Sequence, residues 1–186
     1  MAILSNTSSP SHVALGRLSC YGLREDMFVG GLVSSGEECA KYVRETYCTG
    51  VGSRKALWFT WKESDKQNPL EFLHCCETEK TRLDIAESVN EADFILLHGS
   101  EVWRQCRGAL SSDEDLNFMY NQDFAMIDPL LEEASKKGLL MVCANPDLVV
   151  NLPGNVVGNM PGEHVLLKAC HLVFICSAHD SQHSLL

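Results

Sequence analysis

Residues 1–10 read Met1-Ala2-Ile3-Leu4-Ser5-Asn6-Thr7-Ser8-Ser9-Pro10, a short apolar run that stops on Ser-Asn. Apolar residues bounded by small polar ones predict a buried strand. Ser5 then stands at the carboxyl end of that strand, with its hydroxyl and nearby backbone N–H groups toward a crevice. Open α/β sheets bind their ligands in such crevices. Ser9-Pro10 reads as an N-cap followed by a first-turn proline, so a helix begins at once. Strand, polar turn and helix N-terminus together make a phosphate site without a positive side chain. Taken alone, Ser5-Asn6 fits an ordinary strand-to-helix turn better than a phosphate site.

Outward from this unit the pattern repeats. Val13, Ala14, Arg17, Leu18 and Tyr21 share one helical face over 10–21, and Gly22 is placed to end the helix. The apolar run Met27-Phe28-Val29 and Gly30-Gly31 lead to Ser35-Gly36-Glu37-Glu38, read as a capping box that opens a helix to about residue 47. Residues 55–61, rich in aromatics, predict a strand, and Asn68-Pro69 starts a helix through Leu70, Leu73 and Cys76. Residues 94–97 predict a second buried strand that ends at His98-Gly99. Residues 105–122 are weakly patterned and read as loop or short helix. Asp128-Pro129 opens a helix through Leu130, Leu131 and Ala134, and Lys136-Lys137-Gly138 closes it. Residues 139–144 form the last expected strand, which stops on Asn145-Pro146-Asp147. Strands alternating with helices over short connections imply an α/β architecture with mostly parallel strands.

Composition narrows the function. At 186 residues the chain can fold around one core. Its formal net charge is −10, with no basic run longer than Lys136-Lys137. That disfavours nucleic acid and anionic membrane surfaces as partners. The apolar stretches are too short to span a bilayer, and residues 1–10 lack the charged region of a signal peptide. The nine cysteines are odd in number, scattered and without a Cys-x-x-Cys pair, so free thiols in a reducing cytoplasm are expected.

Ile3-Leu4-Ser5-Asn6-Thr7-Ser8 resembles the second motif of the haloacid dehalogenase superfamily, in subclass IIA with the p-nitrophenyl-phosphate and pyridoxal phosphatases. Three further segments extend the resemblance over roughly residues 1–162. Met27–Val43 is similar to the entry into the α/β cap inserted in that subclass. Ala92–Leu97 matches a strand in the middle of the cap, and Met141–Asp147 a strand followed by Asn-Pro-Asp. The resemblance implies an inserted α/β cap with a remnant strand-helix unit of the Rossmann-like core. Its expected units are 1–24 as the core remnant, 25–160 as the cap and 161–186 as a divergent tail. The reaction implied is Mg²⁺-dependent hydrolysis of a small phosphorylated metabolite through an aspartyl-phosphate. Ser5 and Asn6 would bind phosphate, and Asn145 and Asp147 would form a cap turn facing substrate, although Asn-Pro-Asp is also an ordinary turn sequence.

The remaining family motifs are not found. The nucleophilic Asp-x-Asp should precede the second motif, and Met1 falls almost on it. After Pro161-Gly162 the pattern departs, since Lys168 lacks its flanking Gly and Pro and no Gly-Asp pair occurs. The expectation is therefore a chain truncated at both ends of the core, with no confident catalytic residue, no metal site and no Mg²⁺ of its own. Losing such a constellation costs on the order of 10⁴-fold in rate. The alternative expectation is a non-catalytic module that pairs with a full-length relative through the cap, with a homo- or hetero-dimer as the assembly. Of the aspartates near expected strand ends or turns, Asp26, Asp93 and Asp147 are the ones that could reach Ser5. Trp58, Phe59 and Trp61 read as core more readily than as a stacking strip, Asp113-Glu114-Asp115 as a solvated loop, and His179-Asp180 with His183 as a weak metal spacing. Cys75-Cys76 beside His74 lacks an orienting acid.

Overall fold

The structure is a computed structural model that describes residues 2–49, 54–64, 68–107, 113–163 and 172–174. Its centre is a mixed sheet in the order β11-β8-β5-β3-β6-β7, with β4 beside the first half of β3. Here β3 is Arg54–Thr60, β4 Leu83–Ile85, β5 Phe94–Leu97, β6 Val102–Arg104, β7 Asp113–Asp115, β8 Leu140–Cys143 and β11 Leu172–Phe174. The strands β11, β8, β5, β3 and β4 run parallel, and at one edge β6 pairs antiparallel with β3 and β7 antiparallel with β6.

Alternation along the strands builds two cores. Leu57, Phe59, Ile95, Leu97, Met141 and Cys143 point to one face and pack on Ile127, Leu131 and Ala134 of the helix α5, Ile127–Lys137. Their neighbours Ala56, Trp58, Phe94, Leu96, Val142 and Ala144 point to the other face. These meet Cys39, Ala40 and Val43 of α2 (Ser35–Tyr47) and Phe72, Leu73 and Cys76 on and just after α3 (Pro69–Cys75). Burial on both faces explains why the strands read as unbroken apolar runs. Trp58 and Phe59 are fully buried and Trp61 nearly so, so the aromatic strip is core. Gly138, at φ 72°, closes α5 as expected, and Lys137 Nζ donates to the carbonyls of Val89, Asn90 and Ala92.

The opening segment forms a second, two-stranded parallel sheet. β1 (Ile3–Ser5) pairs with β2 (Leu32–Ser34), bringing Ser5 opposite Ser34, and α1 (Ser11–Ser19) packs on β2. Several local expectations shift. Ser9 does not cap α1; Pro10 is the N-cap, without a side-chain bond, and the Ser9 hydroxyl accepts from Arg17 Nη1 at 3.1 Å. Helix α1 ends at Ser19, and Gly22, at φ 77°, serves the turn after it. Ser34, not Ser35, caps α2 by accepting from the Glu37 N–H at 3.1 Å. The pattern Ser-x-x-Glu fits one residue earlier, which releases the Ser35 hydroxyl for another task.

The stretch 105–122 holds β7 and the short helix α4, Phe118–Asn121. Asp113 is therefore no solvated loop residue: its carboxylate grips the buried guanidinium of Arg104 through two hydrogen bonds of 2.6 and 2.8 Å. A hairpin of β9 (Val149–Leu152) and β10 (Val156–Asn159), unforeseen in the sequence, packs against α4 through Met119, Val150 and Leu152. In the tail, residues 172–174 add the parallel edge strand β11 to β8. Lys168, His179, Asp180 and His183 lie outside the described residues. No helix among the described residues is long and apolar enough to cross a membrane.

Candidate functional site

The segment Ser5–Ser9 leaves β1 and lies against the carboxyl ends of the central parallel strands. Four side chains or backbone groups hold it there. At the end of β3, the Trp61 Nε1–H donates to Ser8 Oγ at 2.9 Å in a buried contact. At the end of β5, His98 bonds the backbone of Ser8, and its Nδ1 lies 2.8 Å from Thr60 Oγ1. Ser35 Oγ, at the start of α2, lies 2.7 Å from the Ala144 carbonyl, just past β8, and 3.2 Å from the Thr7 carbonyl, with its one proton between the two. The Gly36 N–H also donates to the Thr7 carbonyl, at 3.0 Å.

Burial pushes the His98 imidazole down to about 3, which the bond to Ser8 opposes only in part. The ring is therefore neutral at physiological pH. One tautomer satisfies both neighbours: a ring N–H on the Ser8 carbonyl, with Nδ1 accepting from the Thr60 hydroxyl. Phe72 stacks on the other side of the ring, with centroids 3.9 Å apart.

Gly36 shows how tightly the loop is seated. A Cβ at this position would stand 2.1 Å from the Ser8 carbonyl oxygen. Side chains at this point of the helix would displace the loop. Gly162 plays the same part at the facing turn, where a Cβ would stand 2.2 Å from the Pro146 carbonyl oxygen.

Of the three aspartates, Asp147 is brought to the loop. Asn6 Nδ2 donates to Asp147 Oδ1 at 3.2 Å, across 141 residues of chain. The Asp147 N–H is held at 3.0 Å by Asn145 Oδ1, so Asn145-Pro146-Asp147 is an Asx-type turn whose third residue faces the loop. Asp26 pairs instead with Arg24 in an exposed turn, and Asp93 pairs with Arg54 and the Lys55 N–H at the opposite, amino end of the sheet. Ser5 Oγ accepts from the Thr7 N–H at 3.3 Å, and Thr7 Oγ1 from the Ser9 N–H at 3.2 Å, which curls the loop around its own hydroxyls. Beside Ser9 and Arg17 a cleft of about 330 Å³ opens between α1 and α3.

The described residues contain no group of three or more His, Cys, Asp or Glu side chains placed to hold a metal ion. The carboxylate that does reach the loop is engaged by Asn6. Of the residues that fasten the loop, Trp61 enters the sequence reading only within the aromatic strip, and His98, Ser35 and Gly36 carry no site role there. The one signal for them is a glycine in the first turn of a helix, where it costs helix stability unless something approaches closely.

Loop, clamp and facing turn lie on an α/β fold of the haloacid dehalogenase-like kind. The chain is similar to the crystal structure of a hydrolase of the haloacid dehalogenase-like family from Brucella suis 1330, with a TM-score of 0.58 and 18% identity over 92% of this chain and 54% of that one. At this identity the likeness is one of fold. The chain spans about half the length of that structure. Neither a family model nor a curated protein matches the sequence.

Proposed function

We propose that this chain binds a phosphomonoester at the Ser5–Ser9 loop and does not hydrolyse it unaided. The observation that carries this reading is the placement of the Ser5-Asn6 loop, clamped at the carboxyl ends of β3, β5 and β8 and met by Asp147. Hydroxyls and backbone N–H groups at such a strand end suit phosphate oxygens. Hydrolysis of the haloacid dehalogenase kind also needs an aspartate nucleophile, a lysine and metal-holding carboxylates, and the described residues bring only Asp147 to the loop by a hydrogen bond. In this assignment residues 1–24 are the core remnant and residues 25–160 the cap of a subclass IIA architecture. The described cysteines are free thiols, which suits a cytoplasmic protein.

Titration of the whole chain with p-nitrophenyl phosphate tests this reading, with nitrophenol release followed in Mg²⁺ and in EDTA. Saturable binding, weakened by Ser5→Ala and without EDTA-sensitive turnover, is expected. Turnover at an ordinary enzymatic rate, or no binding by a folded sample, overturns it.

A second reading, a module that pairs with another copy of this chain, is favoured by the β9–β10 hairpin. Leu148, Val149, Val156 and Val157 are exposed there, and residues 148–162 carry no charge in a chain of net charge −10. Two copies can approach through this surface without like-charge repulsion. Sedimentation of the wild-type chain and of Val157→Lys decides it: a dimer that the lysine dissociates supports the reading, and a monomer at all concentrations removes it.

A further inference from the structure

The loop meets two side chains of opposite sign. At its far end the Arg17 guanidinium donates to Ser9 Oγ at 3.1 Å, and near its start Asn6 donates to the Asp147 carboxylate at 3.2 Å. The two contacts are three residues apart along one short segment whose backbone is fixed by Trp61, His98, Ser35 and Gly36.

This pairing is ill suited to a simple phosphate. A phosphomonoester at pH 7 carries close to two negative charges, and a carboxylate beside it repels them. Arg17 offsets part of that repulsion but leaves Asp147 facing the ligand. A phosphate ester with its own cationic group resolves the conflict. Its phosphate takes protons from the partly exposed Ser5 and Thr7 hydroxyls, which only accept within the loop, and its ammonium takes Asp147.

We propose that the Ser5–Ser9 loop selects a zwitterionic phosphomonoester, an aminoalkyl phosphate, with Asp147 as the specificity residue for the ammonium group. The inference rests on the reading of the loop as a phosphate site and names its substrate class. Asn6 then acts as a placeholder: its amide occupies Asp147 when no ammonium is present.

The experiment compares 2-aminoethyl phosphate with ethyl phosphate, which has the same reach without the charge. Both are titrated calorimetrically into the full chain at pH 7.5 and low salt, and then into Asp147→Asn. The aminoalkyl ester is expected to bind about threefold to fivefold more tightly than ethyl phosphate, in the range of a partly exposed ion pair. Asp147→Asn should abolish this preference, so that the two esters bind the variant alike. Equal binding of the two esters by the wild-type chain overturns the inference and leaves the phosphate site standing. Binding of neither ester overturns the phosphate site, and the inference with it. The wild-type comparison decides the matter even where the variant fails to fold.

Discussion

Gly36→Ala tests whether the loop is seated as tightly as the geometry requires. Gly36 lies in the first turn of α2 with no positive φ, so its backbone conformation is open to alanine and only sterics oppose the change. The added Cβ would stand 2.1 Å from the Ser8 carbonyl oxygen, about 1.3 Å inside the 3.4 Å at which ordinary contact begins. The obstacle is backbone, which cannot rotate away as a side chain tip can. Overpacking of this kind costs about 1–3 kcal/mol. Displacing the loop also lengthens the Gly36 N–H to Thr7 bond, worth about 1 kcal/mol. Alanine returns up to about 1 kcal/mol of helix propensity, and less in a first turn. The balance is a loss of roughly 2–3 kcal/mol, which lowers Tm by about 5–10 °C for a chain of this size. Gly16→Ala is the control: it too lies in a helix, and a Cβ there meets nothing within 4 Å. Urea denaturation should show the control neutral or stabilised by up to about 1 kcal/mol and Gly36→Ala clearly weakened. Equal stability of the two variants would refute the close seating of the loop.

Other predictions concern the groups around that contact. Trp61→Phe keeps most of the ring but removes the donor to the buried Ser8 hydroxyl, and should cost about 1–2 kcal/mol in urea denaturation. His98 is held neutral in the fold down to about pH 3, whereas the unfolded chain protonates it below about 6.5. Between those values the unfolded state binds more protons, so stability falls as pH drops, by about 1.4 kcal/mol per pH unit at most, and is level above about 6.5. Denaturation midpoints at pH 7 and pH 5 should show this slope, and His98→Gln should flatten it. Asp113→Ala leaves the buried Arg104 guanidinium, packed over the Trp58 ring, without its carboxylate and should cost about 3–5 kcal/mol by thermal unfolding.

Much of the scaffold was legible because its signals are strong and local. Phe94–Leu97 and Leu140–Cys143 are unbroken apolar runs, and Asn68-Pro69 both caps and starts α3, with Asn68 Oδ1 accepting from the Glu71 N–H. The parallel order follows from helices lying between the strands. The hairpin at Val149–Asn159 was hidden by its own composition, since Pro153-Gly154-Asn155 reads as loop and the valines stand in adjacent pairs, Val149-Val150 and Val156-Val157, without the alternation of a half-buried strand. Strand β7 was hidden because Asp113-Glu114-Asp115 has the composition of a solvated loop. Only the Arg104 opposite, which sequence spacing does not reveal, draws Asp113 inward. The cap of α2 was misplaced by one residue because Ser34 and Ser35 both satisfy the same pattern, and tertiary contacts choose between them.

The chemistry divides along the same line. Ser5, Asn6, Asn145 and Asp147 are each locally ambiguous, as turn residues usually are, and the sequence holds the two pairs 139 residues or more apart. What makes them neighbours is Ser35, whose one hydroxyl reaches the carbonyl beyond β8 and the carbonyl of the loop. Thr7 is one residue from Asn6, and Ala144 is three from Asp147. The Asn6–Asp147 contact is thus a consequence of that bridge, of the close packing of Gly36 on Ser8 and of Gly162 on Pro146. A carboxylate placed by backbone contacts on both sides sits at a set distance from the loop, and a site of fixed spacing can discriminate by charge where a flexible one would adapt.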